Sequence, residues 1–420
     1  MTIEELLNYR KSILEDSKDE DGFIQQQPLL SQALPLMLDA KLVDSEEYNE
    51  SYYKHEADNL KINAYVVNES GERLQLFMVN ESSINEVASD EELQISSRLD
   101  YESQFKRVTR FITKAVKGQL NDEIQDSDPV KAIVSKITSA EGIEQFDVIE
   151  IFLISLTATV SFKGAVPQPR RIHFVEERQS ITYKLDGHKS SKEYLISKRL
   201  IDLNFLFNVL VSRGCREPLS VNFDKTFGYN LEVINAARES NFESYLCVMK
   251  ADVLADLYKH YSSRLLEKNV RSFLQFKGAN KGIRDTIRNE PEKFIAYNNG
   301  LTITAVDARI IQSKKKMYIE SLKDFQIVNG GQTTATIYFS MKDGLDISKV
   351  RVMAKINVAK ETSEEKLEEM ISKISRFSNT QSKVSNVDLR ARNPQLLKLK
   401  ALSESIATPS GVNWFFEKTF

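Results

Sequence analysis

Apolar residues recur at helical spacing through the first fifty positions, where Leu6, Leu7, Ile13 and Leu14 share one face and Leu29, Leu30, Leu34 and Leu36 to Leu38 form a second stripe. The period then shortens. Lys61 to Val67 and Arg73 to Val79 read as strands, and Asn68-Glu-Ser-Gly71 between them carries the turn chemistry of a β-hairpin. Glu91 to Leu120 returns to a helical period, with Leu93, Ile95, Leu99, Phe105, Val108, Phe111 and Ile112 on its apolar face. The acidic run Asn121 to Asp128, closed by Pro129, predicts a break.

Short elements alternate after that break. Strands are expected at Asp147 to Val160, Arg171 to Glu176, Ser180 to Leu185 and Ser220 to Phe223, with helices near Ile201 to Arg213 and at Ala251 to His260. Further on, the pattern predicts a helix at Lys281 to Asn289 and paired strands through two glycine turns. A helix at Thr333 to Met341, a strand at Val350 to Val358 and a helix at Glu361 to Phe377, opened by Thr362-Ser-Glu-Glu365, complete it. The expected fold class is α/β with α+β elements mixed, in three parts: 1–128, a connecting α/β region 129–260, and 261–420.

Composition refines this picture only a little. A chain of 420 residues exceeds what one core usually covers, in keeping with more than one domain. The formal net charge is −3, so any nucleic-acid binding must come from a local patch and not from a global pull. Two cysteines, Cys215 and Cys247, and four histidines show no metal-ligand spacing, so neither a metal nor another cofactor is expected. The cysteines read as buried thiols in a reducing compartment, with a disulfide or reactive thiol as the alternative. Met1-Thr-Ile-Glu-Glu-Leu-Leu7 lacks the basic and apolar regions of a secretion signal, and Val148 to Val160 is too short to cross a bilayer. A cytoplasmic protein without membrane contact is expected.

Chemistry concentrates in three polar segments. Asn298-Asn-Gly300 and Asn329-Gly-Gly-Gln-Thr-Thr334 set amides and small hydroxyls beside β-branched residues, a composition suited to holding a polar ligand through backbone and amide hydrogen bonds. The second opens a helix, whose first amides face an anion well. Ser378-Asn-Thr-Gln-Ser-Lys-Val-Ser385 adds Asn379 and Gln381, which can read hydrogen-bonding edges. Upstream, Arg264, Lys268, Arg271, Lys277, Lys281, Arg284 and Arg288 interleave with Phe273 and Phe276, opposed only by Glu267 and Asp285. Such a run either tracks phosphates or is a solvated helix face. The candidate ligand residues are therefore Arg271, Lys281, Arg284, Asn298, Asn299, Gly300, Asn329, Gly330, Gly331, Gln332, Thr333, Thr334, Asn379 and Gln381, expected to converge on one cleft. An ordinary Asn-Gly hairpin is the alternative for the first turn.

Leu266 to Leu274, Asn280 to Ile283, Phe294 to Thr304, Ile327 to Thr334 and Asn379 to Leu389, taken in order, resemble the AIPR family of abortive-infection phage-resistance proteins. The resemblance implies a bacterial antiphage component working beside ATPase or restriction-modification proteins, and a homodimer is among the expected assemblies. In related proteins the N-terminal region is similar to the restriction-endonuclease fold, whose Asp and Glu/Gln-x-Lys positions hold a divalent metal. Here those positions read as replaced, leaving Asp58 and Glu81 as vestigial candidates, so a degenerate endonuclease-like domain is expected over 1–128. Val328 to Thr334 also resembles the Asp-Gly-Gln-Gln-Arg turn of ParB-like nucleotide-binding domains, but Asn329 and Thr333 replace its acid and its arginine, which argues against NTP hydrolysis. Ending on Asn413-Trp-Phe-Phe-Glu-Lys-Thr-Phe420, the chain reads as a shortened member. The function expected is recognition of nucleic acid or nucleotide and signalling to partners. Its alternatives are a magnesium-dependent nuclease and a non-catalytic assembly scaffold.

Overall fold

The computed structural model describes residues 2–21, 23–68, 71–84, 92–163, 166–185, 187–211, 218–265, 279–313, 315–360 and 363–379. Two compact units divide the chain, Met1–Lys360 and Glu361–Phe420. The first unit opens with α1 (Ile3–Asp16) and α2 (Gln26–Asp39), then β1 (Asn49–His55), β2 (Leu60–Val67) and β3 (Arg73–Val79). Helices α3 (Arg98–Val116), α4 (Lys131–Thr138) and α5 (Ala140–Gln145) lead to β4 (Val148–Ile154). A small hairpin of β5 (Val160–Lys163) and β6 (Val166–Pro169) precedes β7 (Glu177–Leu185), β8 (His188–Ile201) and α6 (Leu203–Val211).

The first sheet has the order β1-β2-β3-β4-β8-β7. Its pairs are antiparallel except β3 with β4 and β4 with β8, which are parallel. Strand β4, Val-Ile-Glu-Ile-Phe-Leu-Ile, is buried at every position, as a strand covered on both faces must be. On one face α3 packs Phe105, Val108, Phe111 and Ile112 over Leu74, Leu76, Ile149 and Ile151. On the other, α1, α2 and α6 bury Leu6, Leu14, Leu34 and Leu206 with Phe77, Phe152 and Ile154. The result is a three-layer α/β/α body.

A second sheet follows, built from β9 (Val221–Asn222), β10 (Leu231–Arg238), β11 (Phe242–Lys250), β12 (Leu301–Ala305), β13 (Asp307–Ser313), β14 (Lys316–Lys323), β15 (Gln326–Asn329) and β16 (Arg351–Ala359). Interspersed are α7 (Phe223–Phe227), α8 (Ala251–Tyr261), α9 (Ala279–Asn289), α10 (Phe294–Tyr297) and α11 (Gly331–Lys342). The order is β13-β14-β10-β11-β16-β12-β15, with β9 on β14, and β12 runs parallel to β16. Helices α8 and α11 bury Leu254, Leu257, Tyr258, Ile337 and Tyr338 with Tyr245, Ile303, Ile327 and Ile356. Ile234, Leu246, Val248 and Met353 are exposed. In the second unit, α12 (Glu364–Asn379) is described, with Lys373 paired to Glu369 at 2.7 Å one turn away.

The mixed α/β class agrees with the sequence pattern, but several details depart from it. Strand β3 pairs with β4 across residue 128, and β11 pairs with β16 across residue 260. Strand β1 and the long β8 were not anticipated, because their faces are partly polar and give no clean alternation. Arg171 to Glu176 is extended but unpaired, and Phe294 to Tyr297 forms a helical turn where a strand was expected.

The two sheets of the first unit meet at buried charge. The Arg73 guanidinium, 4% exposed, reaches Glu150 Oε1 at 2.9 Å and donates to the Lys259 carbonyl of α8 at 2.6 Å. Nearby, Asp147 accepts from Tyr338 Oη at 2.5 Å and Lys342 Nζ at 2.8 Å, both from α11. Burial raises the Asp147 pKa, but the Lys342 and Tyr338 hydrogen bonds more than offset that and hold it below the usual range. Arg73→Met, which strands Glu150, should lower stability by about 3–5 kcal/mol, read as a fall in the urea midpoint. Arg73→Lys keeps the charge without the fork and should lose less.

Asp202, between β8 and α6, is buried and accepts from the Phe205 amide at 2.9 Å. Burial pushes its carboxyl up to about 7 from 3.8. The folded state therefore binds this proton more tightly than the unfolded chain, so its contribution to stability falls as pH rises from 3.8 to about 7 and is flat above. Asp202→Asn should flatten that slope in melting temperatures measured from pH 4 to pH 8.

Candidate functional site

Strand β12 runs antiparallel to β15, with Thr302 opposite Asn329, so the turn entering β12 and the turn leaving β15 emerge at the same end of the sheet. This register brings together two segments that sequence separation alone could not place. Asn298 ties them. Its Oδ1 accepts from the Gly300 amide at 2.9 Å, closing an Asx turn, and its Nδ2 donates to Thr333 Oγ1 at 3.2 Å. The first Asn-Gly step is not a hairpin: it joins helical turn α10 to β12.

Both glycines are dictated by this closeness. Gly300 sits at φ +78°, where a Cβ would stand 2.5 Å from the Met353 carbonyl oxygen. Gly330 sits at φ +95°, where a Cβ would lie 2.2 Å from Leu301 Cδ2. Gly330 is also the N-cap of α11 and contributes no side-chain cap; its carbonyl accepts from the Thr334 amide at 3.0 Å and from Thr334 Oγ1 at 3.1 Å. The positive end of the α11 dipole therefore lies within the turn cluster.

Exposure separates support from contact. Gly300, Gly331, Thr333 and Thr334 are buried and shape the turns. Asn298, Asn329 and Gln332 are half-buried, Asn299 is exposed, and beside them Tyr297 presents its ring at 59% exposure. Tyr297 was not singled out in the sequence. Read as a strand, its run gives no special place to position 297; the helical turn buries Phe294 and turns Tyr297 outward. Amide edges beside an exposed ring provide hydrogen bonding and stacking.

The other candidates are placed differently. Arg284, on α9, pairs with Asp343 at 2.5 Å, at the far end of α11, which as a 12-residue helix is about 18 Å long. The structure therefore does not bring Arg284 to the turns. Lys281 is exposed on the same helix, and Asn379 ends α12 in the second unit. Arg271 and Gln381 lie outside the described residues, as do Cys215 and the segment 266–278.

Asp58 and Glu81 are each held by their own cations. Asp58, in the β1–β2 turn, contacts Lys114 at 2.5 Å and His55 at 3.1 Å, and the Lys114 hydrogen bond holds its pKa low. Glu81 contacts Lys54 and Lys61 at 2.9 Å each. Burial raises the Glu81 pKa, but the two lysines outweigh it and bring the carboxyl down to about 2. Among the described residues no three His, Cys, Asp or Glu side chains group as a metal site would require. Cys247 is a buried free thiol pushed up to about 12 by burial, far from thiolate reactivity.

Gly330→Ala should lower stability by about 1–3 kcal/mol, because it adds positive-φ strain to a clash with Leu301. The loss should appear in the melting temperature.

Two family comparisons cover most of this architecture. Residues 37–174, which hold β1 to β4 and α3, match the abortive infection phage resistance protein N-terminal domain, and residues 266–419, which hold both Asn-Gly turns, match the AIPR protein model. No curated protein and no solved structure matches. With an N-terminal and a C-terminal match in the expected order, the chain belongs to the AIPR family.

Proposed function

We propose that this protein serves abortive-infection phage resistance by recognising a nucleic acid or nucleotide at the paired Asn-Gly turns. What supports this reading is the β12–β15 register that sets the Asn298–Gly300 turn beside the turn opening α11, tied by the Asn298–Thr333 hydrogen bond, with the Tyr297 ring exposed next to it in the chain. A base stacked on Tyr297 would present its edge to amides that donate and accept, and a phosphate would meet the positive end of the helix. The far end of α11 contacts Asp147 of the first sheet, a physical link from the turns to the N-terminal body. Lysines neutralise Asp58 and Glu81, which favours recognition over a magnesium-dependent nuclease.

Salt-dependent binding to labelled single-stranded DNA, duplex DNA and RNA, with and without Mg²⁺ and nucleotide, tests this reading while strand length is followed. Intact strands bound with steep salt dependence are expected, with Tyr297→Ala weakening affinity about 5- to 150-fold, the range of one lost stack. Cleavage that disappears in Asp58→Ala would instead establish the nuclease, and absence of any binding would leave a scaffold.

A further inference from the structure

The outer face of the second sheet begins where the turns end. Register sets Asn329, Thr302, Lys355, Leu246 and Ile234 side by side across β15, β12, β16, β11 and β10, and directly paired residues share a face. In the neighbouring row Val248 stands opposite Met353. Met353 lies against the first turn, where a Cβ built on Gly300 would come within 3.5 Å of its Cβ. Helical turn α10, which carries Tyr297, packs against β16 as well. The amide turns and this face are therefore one continuous surface.

Its composition is apolar and cationic, and neither row holds an acidic residue. Ile234, Leu246, Val248 and Met353 are between 40% and 72% exposed, whereas Tyr245, Met249, Val352 and Ile356 of the same strands point into the core. Lys355 stands opposite Leu246, and Lys250 follows Val248 by two residues on the same face. Both are exposed, and neither ammonium has an ion pair or hydrogen bond among the described residues. Glu232, two residues before Ile234 on β10, is already paired with Lys316 at 2.8 Å. A contiguous apolar patch in water marks an interaction surface, and the lysines on this one call for an anionic occupant. A second copy docked through the same face would set these lysines against one another across a two-fold axis.

We propose that the ligand of the turns is a single strand of nucleic acid that continues across this face, its phosphates on Lys355 and Lys250 and its base and sugar faces on Leu246, Val248 and Met353. The inference rests on the nucleic-acid reading above and narrows it to an unpaired strand longer than one nucleotide. In a duplex the base faces are stacked on one another and cannot lie on a flat apolar surface. From strand geometry, Asn329 to Lys355 is two spacings, ~10 Å, and Lys355 to Lys250 is ~14 Å. At ~3.4 Å per phosphate of a stacked strand, that path holds roughly seven nucleotides. Aliphatic contact fixes no base edge, so the face adds affinity that grows with length, while the amides select.

The test is a length series of labelled single-stranded oligonucleotides, from about two to about twelve nucleotides, titrated against the full chain at several salt concentrations. Affinity should rise with length and level off near seven nucleotides, and duplex of the same length should bind more weakly. Lys355→Ala should flatten the slope of log affinity against log salt by about 0.7, and Lys250→Ala/Lys355→Ala by about 1.4, at unchanged melting temperature. Lys355→Arg should restore the slope. Val248→Asp should abolish the gain with length and leave the shortest strand bound as before, whereas Tyr297→Ala should weaken every length at unchanged slope. Equal affinity for the shortest and longest strands, with wild-type slopes in both lysine variants, would overturn the path across the sheet and leave the turn site standing. Equal affinity for duplex and single strand would overturn it too. A lysine-sensitive gain with length that survives Tyr297→Ala undiminished would keep the face and sink the turn site. No binding by the unmodified chain would overturn both and leave the apolar face to a protein partner.

Discussion

Arg73 and Glu150 are both withdrawn from water where the two sheets of the first unit meet, and an unpaired charge there would cost several kcal/mol. Glu150 stands on the fully buried strand β4, where Gln75 donates to it at 2.9 Å and Arg199 approaches to 3.7 Å. The first sheet's residues alone do not complete the set. One arm of Arg73, Nη2, donates to the Lys259 carbonyl of α8, so that arm has its acceptor only when the second sheet's helical layer is docked. Asp147, at the start of β4, repeats the arrangement with α11. Charged and hydrogen-bonding groups of the first sheet therefore find partners on both α8 and α11 where the two sheets meet.

The turn site follows from that placement and from register. Because β12 and β15 are antiparallel neighbours, Asn298 and Thr333 are brought to hydrogen-bonding distance without any special loop. Glycine at 300 and 330 is then compulsory, since strand β16 and Leu301 occupy the space where side chains would go. The same closeness leaves Asn299 and Tyr297 as the outward residues. Side chains mounted between a strand and a helix start are held more rigidly than they would be on a free loop.

Strong periodicity was enough to read much of this fold from the sequence. Helices α1 to α3, the β2–β3 hairpin, buried β4 and β16 all show clear apolar spacing. What stayed hidden depends on pairing at long range. Strand β8 spends its N-terminal half exposed, so Lys189 to Glu193 carry no apolar alternation to mark a strand. The acidic run closed by Pro129 read as a break, while the pairing of β3 with β4 across it joins residues far apart in the chain. At the site, Asn298, Asn329 and Thr333 were visible as turn chemistry, whereas Tyr297 became visible only once its backbone proved helical. Arg284 was grouped with the turns as a member of the basic run, and its ion pair with Asp343 puts it one helix length away.

Helix α11 begins in the amide turns and ends in the seam, with Thr333 held at one end and Tyr338 and Lys342 at the other. An opening that frees its last turn must also break the bonds to Asp147, and one that frees its first turn must release Asn298. The helix, the turns and the seam therefore form a single cooperative unit in the hydrogen-exchange sense. Ordering gained at the turns is shared along the helix, so the resistance of the Asp147 contact to transient opening becomes a property of the far end as well.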